Sequence, residues 1–169
     1  MKRINVKELS FCALLTAIAL TIFMVEAQIP LPIPLPGLRL GLANIVTVYA
    51  MFALGPRDTL LILLSRIILG SLFSGGSTFL FSLTGGVCCY LSMLVMRKLL
   101  TTDQLWACGG IGAIFHNIGQ CLMAVFVYRA RQLIMVYLPF LMVTGVIAGL
   151  FTGLAAQFLL ARLKDKIKL

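Results

Sequence analysis

The sequence predicts an all-α integral membrane protein, a single domain built as a bundle of six transmembrane helices, on three observations. Residues of the AVILMFWYC set make up 61% of the chain before its 15 glycines are counted, against roughly 45–50% with glycine included in soluble domains. Charged residues are 11%, less than half of the roughly 25% usual there. The apolar residues form continuous runs and do not alternate with period two, which speaks for helices and against a β-barrel. This balance excludes a soluble globule, a disordered chain and a disulfide-stapled secreted domain. At about 20 residues per crossing, 169 residues admit at most about six or seven helices and leave no room for a soluble domain.

The first span is expected near 9–27, after Lys2, Arg3 and Lys7. A cleaved signal peptide is the alternative, since Val25-Glu26-Ala27 passes the small-residue test. The run exceeds the usual h-region of roughly 7–15 residues, which favours a retained helix. In Ile29-Pro-Leu-Pro-Ile-Pro-Leu-Pro36 four prolines alternate with aliphatics. Proline lacks an N–H and restricts the residue before it, so this segment is expected to run extended and fold back over the protein as a lid or plug.

Spans two and three are expected near 40–54 and 58–73, separated by Gly55-Pro56, with Pro56 and Asp58 suited to a helix start. Both are short for a bilayer, so local thinning or snorkelling ends are implied. Ser74-Gly-Gly-Ser-Thr78 predicts a tight turn, and further spans are expected near 78–97, 105–128 and 134–161. No inverted repeat is evident.

With six spans the termini share a side. That side collects Lys2, Arg3, Lys7, Arg57, Arg97, Lys98, Arg162, Lys164, Lys166 and Lys168, whereas the other holds Arg39, Arg129 and Arg131. The positive-inside rule then puts both termini in the cytoplasm and makes this a multi-pass protein of the cell membrane. The net charge of +9 is read as topology facing lipid head groups, with no nucleic-acid partner implied.

The polar residues within or beside the spans are few. Arg66 stands near the middle of a span, where a charge costs about 2.5–3.5 kcal/mol on insertion scales and should face the bundle interior or water. It is either a strut on backbone carbonyls or a ligand contact. His116 and Gln120 share a helix face and Asn117 is offset by about 100°; interhelical hydrogen bonds and a ligand pocket are both open to them. Gln28, Arg39 and Asn44 flank the proline segment, and Arg129 lies on the same outer face. These eight residues are the candidate substrate contacts. Trp106, Tyr49, Tyr90, Tyr128 and Tyr137 are read mostly as interface anchors. Ala13 and Ala17 form a small-xxx-small pair, and Gly145, Gly149 and Gly153 a stripe; either suits helix packing.

Catalytic signatures are missing. There is no DDxxD, paired carboxylate, phosphate-binding G-x-x-x-x-G-K-[ST] loop or H-E-x-x-H. The five cysteines, Cys12, Cys88, Cys89, Cys108 and Cys121, lie in apolar stretches without metal-ligand spacing and are read as inert thiols. No catalytic residue, metal or cofactor is expected, and the chain is expected to bind and not to catalyse.

Three stretches carry a family resemblance. Pro36-Gly-Leu-Arg-Leu-Gly-Leu-Ala-Asn44, Ala53-Leu-Gly-Pro-Arg-Asp58 and Gly110-Ile-Gly-Ala-Ile-Phe-His-Asn-Ile-Gly-Gln120 resemble the Gx transporter family, also named heptaprenyl diphosphate synthase component I. The resemblance extends from about Glu8 to Leu160. In size and topology the chain is also similar to the substrate-binding S components of energy-coupling factor (ECF) vitamin transporters. That likeness implies six helices, cytoplasmic termini and an outer loop capping the substrate. It further implies that Ala13 and Ala17 match the AxxxA motif presented to a coupling subunit, itself driven by ATPases. The expected function is therefore a substrate-binding subunit for uptake of a small molecule, energised by an ATP-hydrolysing partner. The alternatives are a non-catalytic membrane component of heptaprenyl diphosphate synthase or of quinone/flavin-linked redox machinery, and a self-contained channel or carrier.

Overall fold

The computed structural model describes residues 6–29, 39–129 and 132–163, the side chains of 77 and 132–137 excepted. The proline segment expected as a lid, Ala130-Arg131 and the basic tail from Lys164 onward lie outside the described residues. Among those described there are α-helices, one 3-10 turn and no strand. The helices are α1 (Val6–Glu26), α2 (Asn44–Ala53), α3 (Pro56–Ser74), α4 (Gly76–Leu99), α5 (Leu105–Tyr128) and α6 (Gln132–Leu163).

Local chemistry sets most boundaries. Gly55 takes φ 105° and Pro56 opens α3, where a missing N–H costs nothing. The Thr59 hydroxyl donates back to the Gly55 carbonyl at 2.8 Å. One residue, Gly75 at φ 87°, turns α3 into α4; L side chains rarely adopt that conformation. Arg97 and Lys98 close α4 at its negative end. A capping box of Thr101 and Gln104 leads through the Thr102–Gln104 turn into α5.

Among the described residues four stretches are long and apolar enough to cross a membrane: Val6–Glu26, Thr78–Leu99, Thr102–Tyr128 and Leu138–Leu163. α3 has sufficient length at 19 residues but carries Arg57, Asp58 and Arg66. α2 is shorter than the span expected over 40–54, with 10 residues and a rise of about 15 Å. Its late start has a local cause: Gly41 sits at φ 84°, and Gly41 and Leu42 spend their N–H groups on the Glu26 carboxylate. Only from Asn44 does the chain run as helix.

A short helix tolerates a membrane when protein surrounds it, and α2 touches every other α-helix. Seven of its residues are buried, Asn44 and Val46 to Met51. Tyr49, expected at the membrane interface, is therefore a core residue at 5% exposure. Around α2 the core gathers Cys12, Leu15 and Ala19 of α1, Ile62 of α3, Cys89 and Met93 of α4, Leu105 and Cys108 of α5, and Ala156 and Leu160 of α6. All five cysteines are free, and four of them are buried.

α5 packs against both α4 and α6, and α1 against α3. The α6 glycine stripe faces α5. A Cβ on Gly149 would stand 2.6 Å from both the Ala113 Cβ and the Gly109 carbonyl oxygen, and one on Gly153 would collide with the Leu105 carbonyl. Backbones approach this closely only where side chains are absent. The stripe is thus internal packing. Ala13 and Ala17, by contrast, are exposed on α1.

Candidate functional site

Charge and polarity collect at the end of the bundle where α1 and α3 finish and α2 begins. The anchor is Glu26, the last residue of α1 and 5% exposed. Its Oε1 accepts the Gly41 N–H at 2.7 Å and its Oε2 accepts the Leu42 N–H at 2.9 Å. A carboxylate placed ahead of a helix start satisfies donors that have no helical partner and complements the positive end of the helix.

Arg39 fastens the same segment from the other side. Its Nη1 donates to the Phe23 carbonyl at 3.0 Å and its Nη2 to the Ser74 hydroxyl at 3.1 Å, tying the ends of α1 and α3 together. The guanidinium lies over the Phe23 ring, 4.0 Å from its centre, a cation–π contact strengthened by partial burial. Burial draws this guanidinium below its ordinary pKa and Glu26 pulls it back; an arginine nonetheless keeps its charge. The Arg39 N–H also donates to Gln120 Oε1 at 3.4 Å, so residues 39–42 are bonded to α1, α3 and α5.

Beneath this segment lie Asn44, His116 and Arg66, at 4%, 3% and 5% exposure. A Cβ on Gly41 would stand 2.8 Å from Asn44 Nδ2 and 3.5 Å from His116 Nε2. The segment, the Asn44 amide and the imidazole are therefore in direct contact. On the far side a Cβ on Gly85 would stand 2.9 Å from His116 Cε1 and 2.8 Å from Gln120 Cγ, so α4 needs a glycine there to admit both side chains. Arg66 interacts electrostatically with Glu26, Arg39 and His116. It sits eight residues before the end of α3, about 12 Å below it. Asn117 turns away toward α6, where its Nδ2 donates to the Leu141 carbonyl in the space left by Gly145.

The set is incompletely satisfied. Both polar atoms of the Asn44 amide, Arg66 Nε and Asn117 Oδ1 are buried without a hydrogen-bond partner among the described residues, and His116 Nδ1 has no well-aligned one, with the Gly85 backbone of α4 beside the ring. Each such orphan costs about 1–3 kcal/mol, and most buried polar groups in proteins are paired. Three neighbouring side chains, Asn44, His116 and Arg66, bear most of this deficit. No grouping of three or more His, Cys, Asp or Glu suited to a metal occurs among the described residues.

Of the eight residues singled out in the sequence, Arg39, Asn44, Arg66, His116 and Gln120 come together, and Asn117 adjoins them. Gln28 is exposed just past α1. Arg129 is exposed too, ending α5 in a left-handed conformation at φ 52°. Glu26 and Ser74 are additions the sequence reading did not make. The available signal for Glu26 was its place as the one acidic residue expected at the outer end of a span, on the side that holds Arg39.

An all-helical chain with four helices able to cross a bilayer, and with its polar side chains turned inward, is a helical membrane protein. The model of the family described as heptaprenyl diphosphate synthase component I matches residues 15–159. The chain belongs to that family, the one its motifs resemble. No curated protein and no solved structure matches the chain.

Proposed function

We propose that this protein is a six-span, substrate-binding membrane subunit that takes up a small molecule from the outer face and docks on an ATP-driven partner. Both termini are cytoplasmic in this reading, because arginine and lysine gather on their side. The single observation carrying it is the buried set of Asn44, His116 and Arg66, whose orphaned atoms lie under a segment clamped by Glu26 and Arg39. Glu26, Arg39 and Gln120 hold that segment, while Asn44, Arg66 and His116 face the ligand; Gln28 and Arg129 stand at the entrance. Exposure of Ala13 and Ala17 on α1 supplies a face where a partner helix packs closely, since small residues permit backbone approach in lipid. An ECF-type coupling subunit with its ATPases is the partner of that chemistry.

The family's description favours a second reading. A component I implies a component II, and the chain is then the non-catalytic membrane part of a heptaprenyl diphosphate synthase. Affinity purification of the full chain from native membranes separates the two. The transport reading expects a membrane coupling subunit and nucleotide-binding ATPases in stoichiometric amount. Recovery of a soluble prenyl synthase in their place would establish the second reading.

A further inference from the structure

The buried set also bears on what kind of molecule completes it, an inference that rests on the substrate-binding reading above. Two guanidiniums, Arg39 and Arg66, lie within electrostatic reach of one carboxylate, Glu26. Two hydrogen-bond positions of that carboxylate are already taken by the Gly41 and Leu42 N–H groups. Among the described residues the charged side chains there leave one positive charge in excess, with Arg66 itself buried, and burying an ion is expensive unless it is paired. Two donors there, Arg66 Nε–H and the Asn44 NH2, have no partner among the described residues. An anion remedies both deficits. A bare halide does not remedy everything, because Asn44 Oδ1 is an unpartnered acceptor and needs a donor that chloride lacks.

We propose that the site takes a small organic oxyanion that also carries an N–H or O–H donor. Its negative group meets Arg66, and its donor edge meets the Asn44 carbonyl oxygen. His116 Nδ1 takes either role by choice of tautomer. Arg39 is already bound to Phe23 and Ser74, so Arg66 provides the selectivity for charge.

Thermal unfolding of the purified full-length protein in detergent tests this with an isosteric pair, N-acetylglycine and its neutral amide N-acetylglycinamide. Sodium phosphate and sodium chloride at equal concentration serve as the other arms. N-acetylglycine at several times its dissociation constant is expected to raise the melting midpoint by about 2–4 °C over the chloride arm, with the amide inert. Arg66→Lys retains the shift and Arg66→Met abolishes it. Should Arg66→Met fail to fold, the comparison of acid and amide in the wild type decides alone. Equal shifts from acid and amide overturn the anion and leave the pocket standing. Equal shifts from N-acetylglycine and from phosphate, which carries O–H donors of its own, overturn the organic part of the proposal, and no shift from any probe overturns the proposal as a whole.

Discussion

Arg66 is the costliest residue to place in a bilayer. Its burial beside Glu26 and His116 explains how the chain tolerates it. Replacing it with leucine removes a charge that Glu26 is set to meet and leaves the carboxylate buried with less compensation. The expected loss is about 1–3 kcal/mol of stability or binding, measured by denaturation in mixed micelles; a variant equal to wild type in both would mean that Arg66 only snorkels. Gly145 offers a cleaner prediction because it carries no charge. A methyl group there meets the Asn117 amide, so Gly145→Ala should cost about 1–3 kcal/mol by overpacking and free the amide from the Leu141 carbonyl. Arg66, Asn44, His116, Asn117 and Gln120 were legible in the sequence because a polar residue in an apolar run stands out. Glu26 was not assigned a role. Its partners are backbone N–H groups 15 and 16 positions away, and no side-chain pattern marks a backbone donor.

Helices were legible where a breaker or a cap stands at the boundary. Gly55-Pro56 and the Gly75 turn place two junctions to within a few residues, whereas the Thr101–Gln104 box before α5 was seen only in the structure. α2 was overextended at its start, because Gly41 reads as a harmless glycine within an apolar run while its backbone serves Glu26. The α6 glycine stripe was visible in sequence, but not its partner; α5 answers it with Gly109 and Ala113. That assignment leaves the Ala13 and Ala17 face as the small-residue surface open to another protein. Ala13→Leu with Ala17→Leu should leave the melting midpoint unchanged, because both positions are exposed. Under the docking reading, recovery of the coupling subunit on affinity beads falls to background. A double variant that folds and recovers its partner in full removes that docking face, and one that unfolds reassigns the pair to internal packing.

On the scale of the whole molecule, orientation and ligand access stand or fall together. The clamped end of the bundle, with Glu26, Arg39, Ser74 and Arg129, is the sparsely basic one, whereas Arg57, Arg97 and Arg162 lie toward the other. Impermeant maleimide should therefore label Gly76→Cys and Arg129→Cys in intact cells, above the background of the largely buried native thiols. Arg57→Cys and Lys98→Cys should react only after the membrane is opened; reversal at two of these positions would put the site on the cytoplasmic face. The all-helical membrane class was legible from composition together with the continuous apolar runs, since lipid admits only helices and closed barrels and a barrel strand would alternate. Identity of the bound molecule was not, because it depends on which atoms are left unpaired once the helices have packed. The most direct measurement of the central claim is native mass spectrometry of the full chain released from its own membranes into detergent. The account predicts one small-molecule adduct per wild-type chain, lost when Asn44→Leu and His116→Leu are combined; a wild-type chain with no adduct, or a double variant that keeps it undiminished, would contradict it.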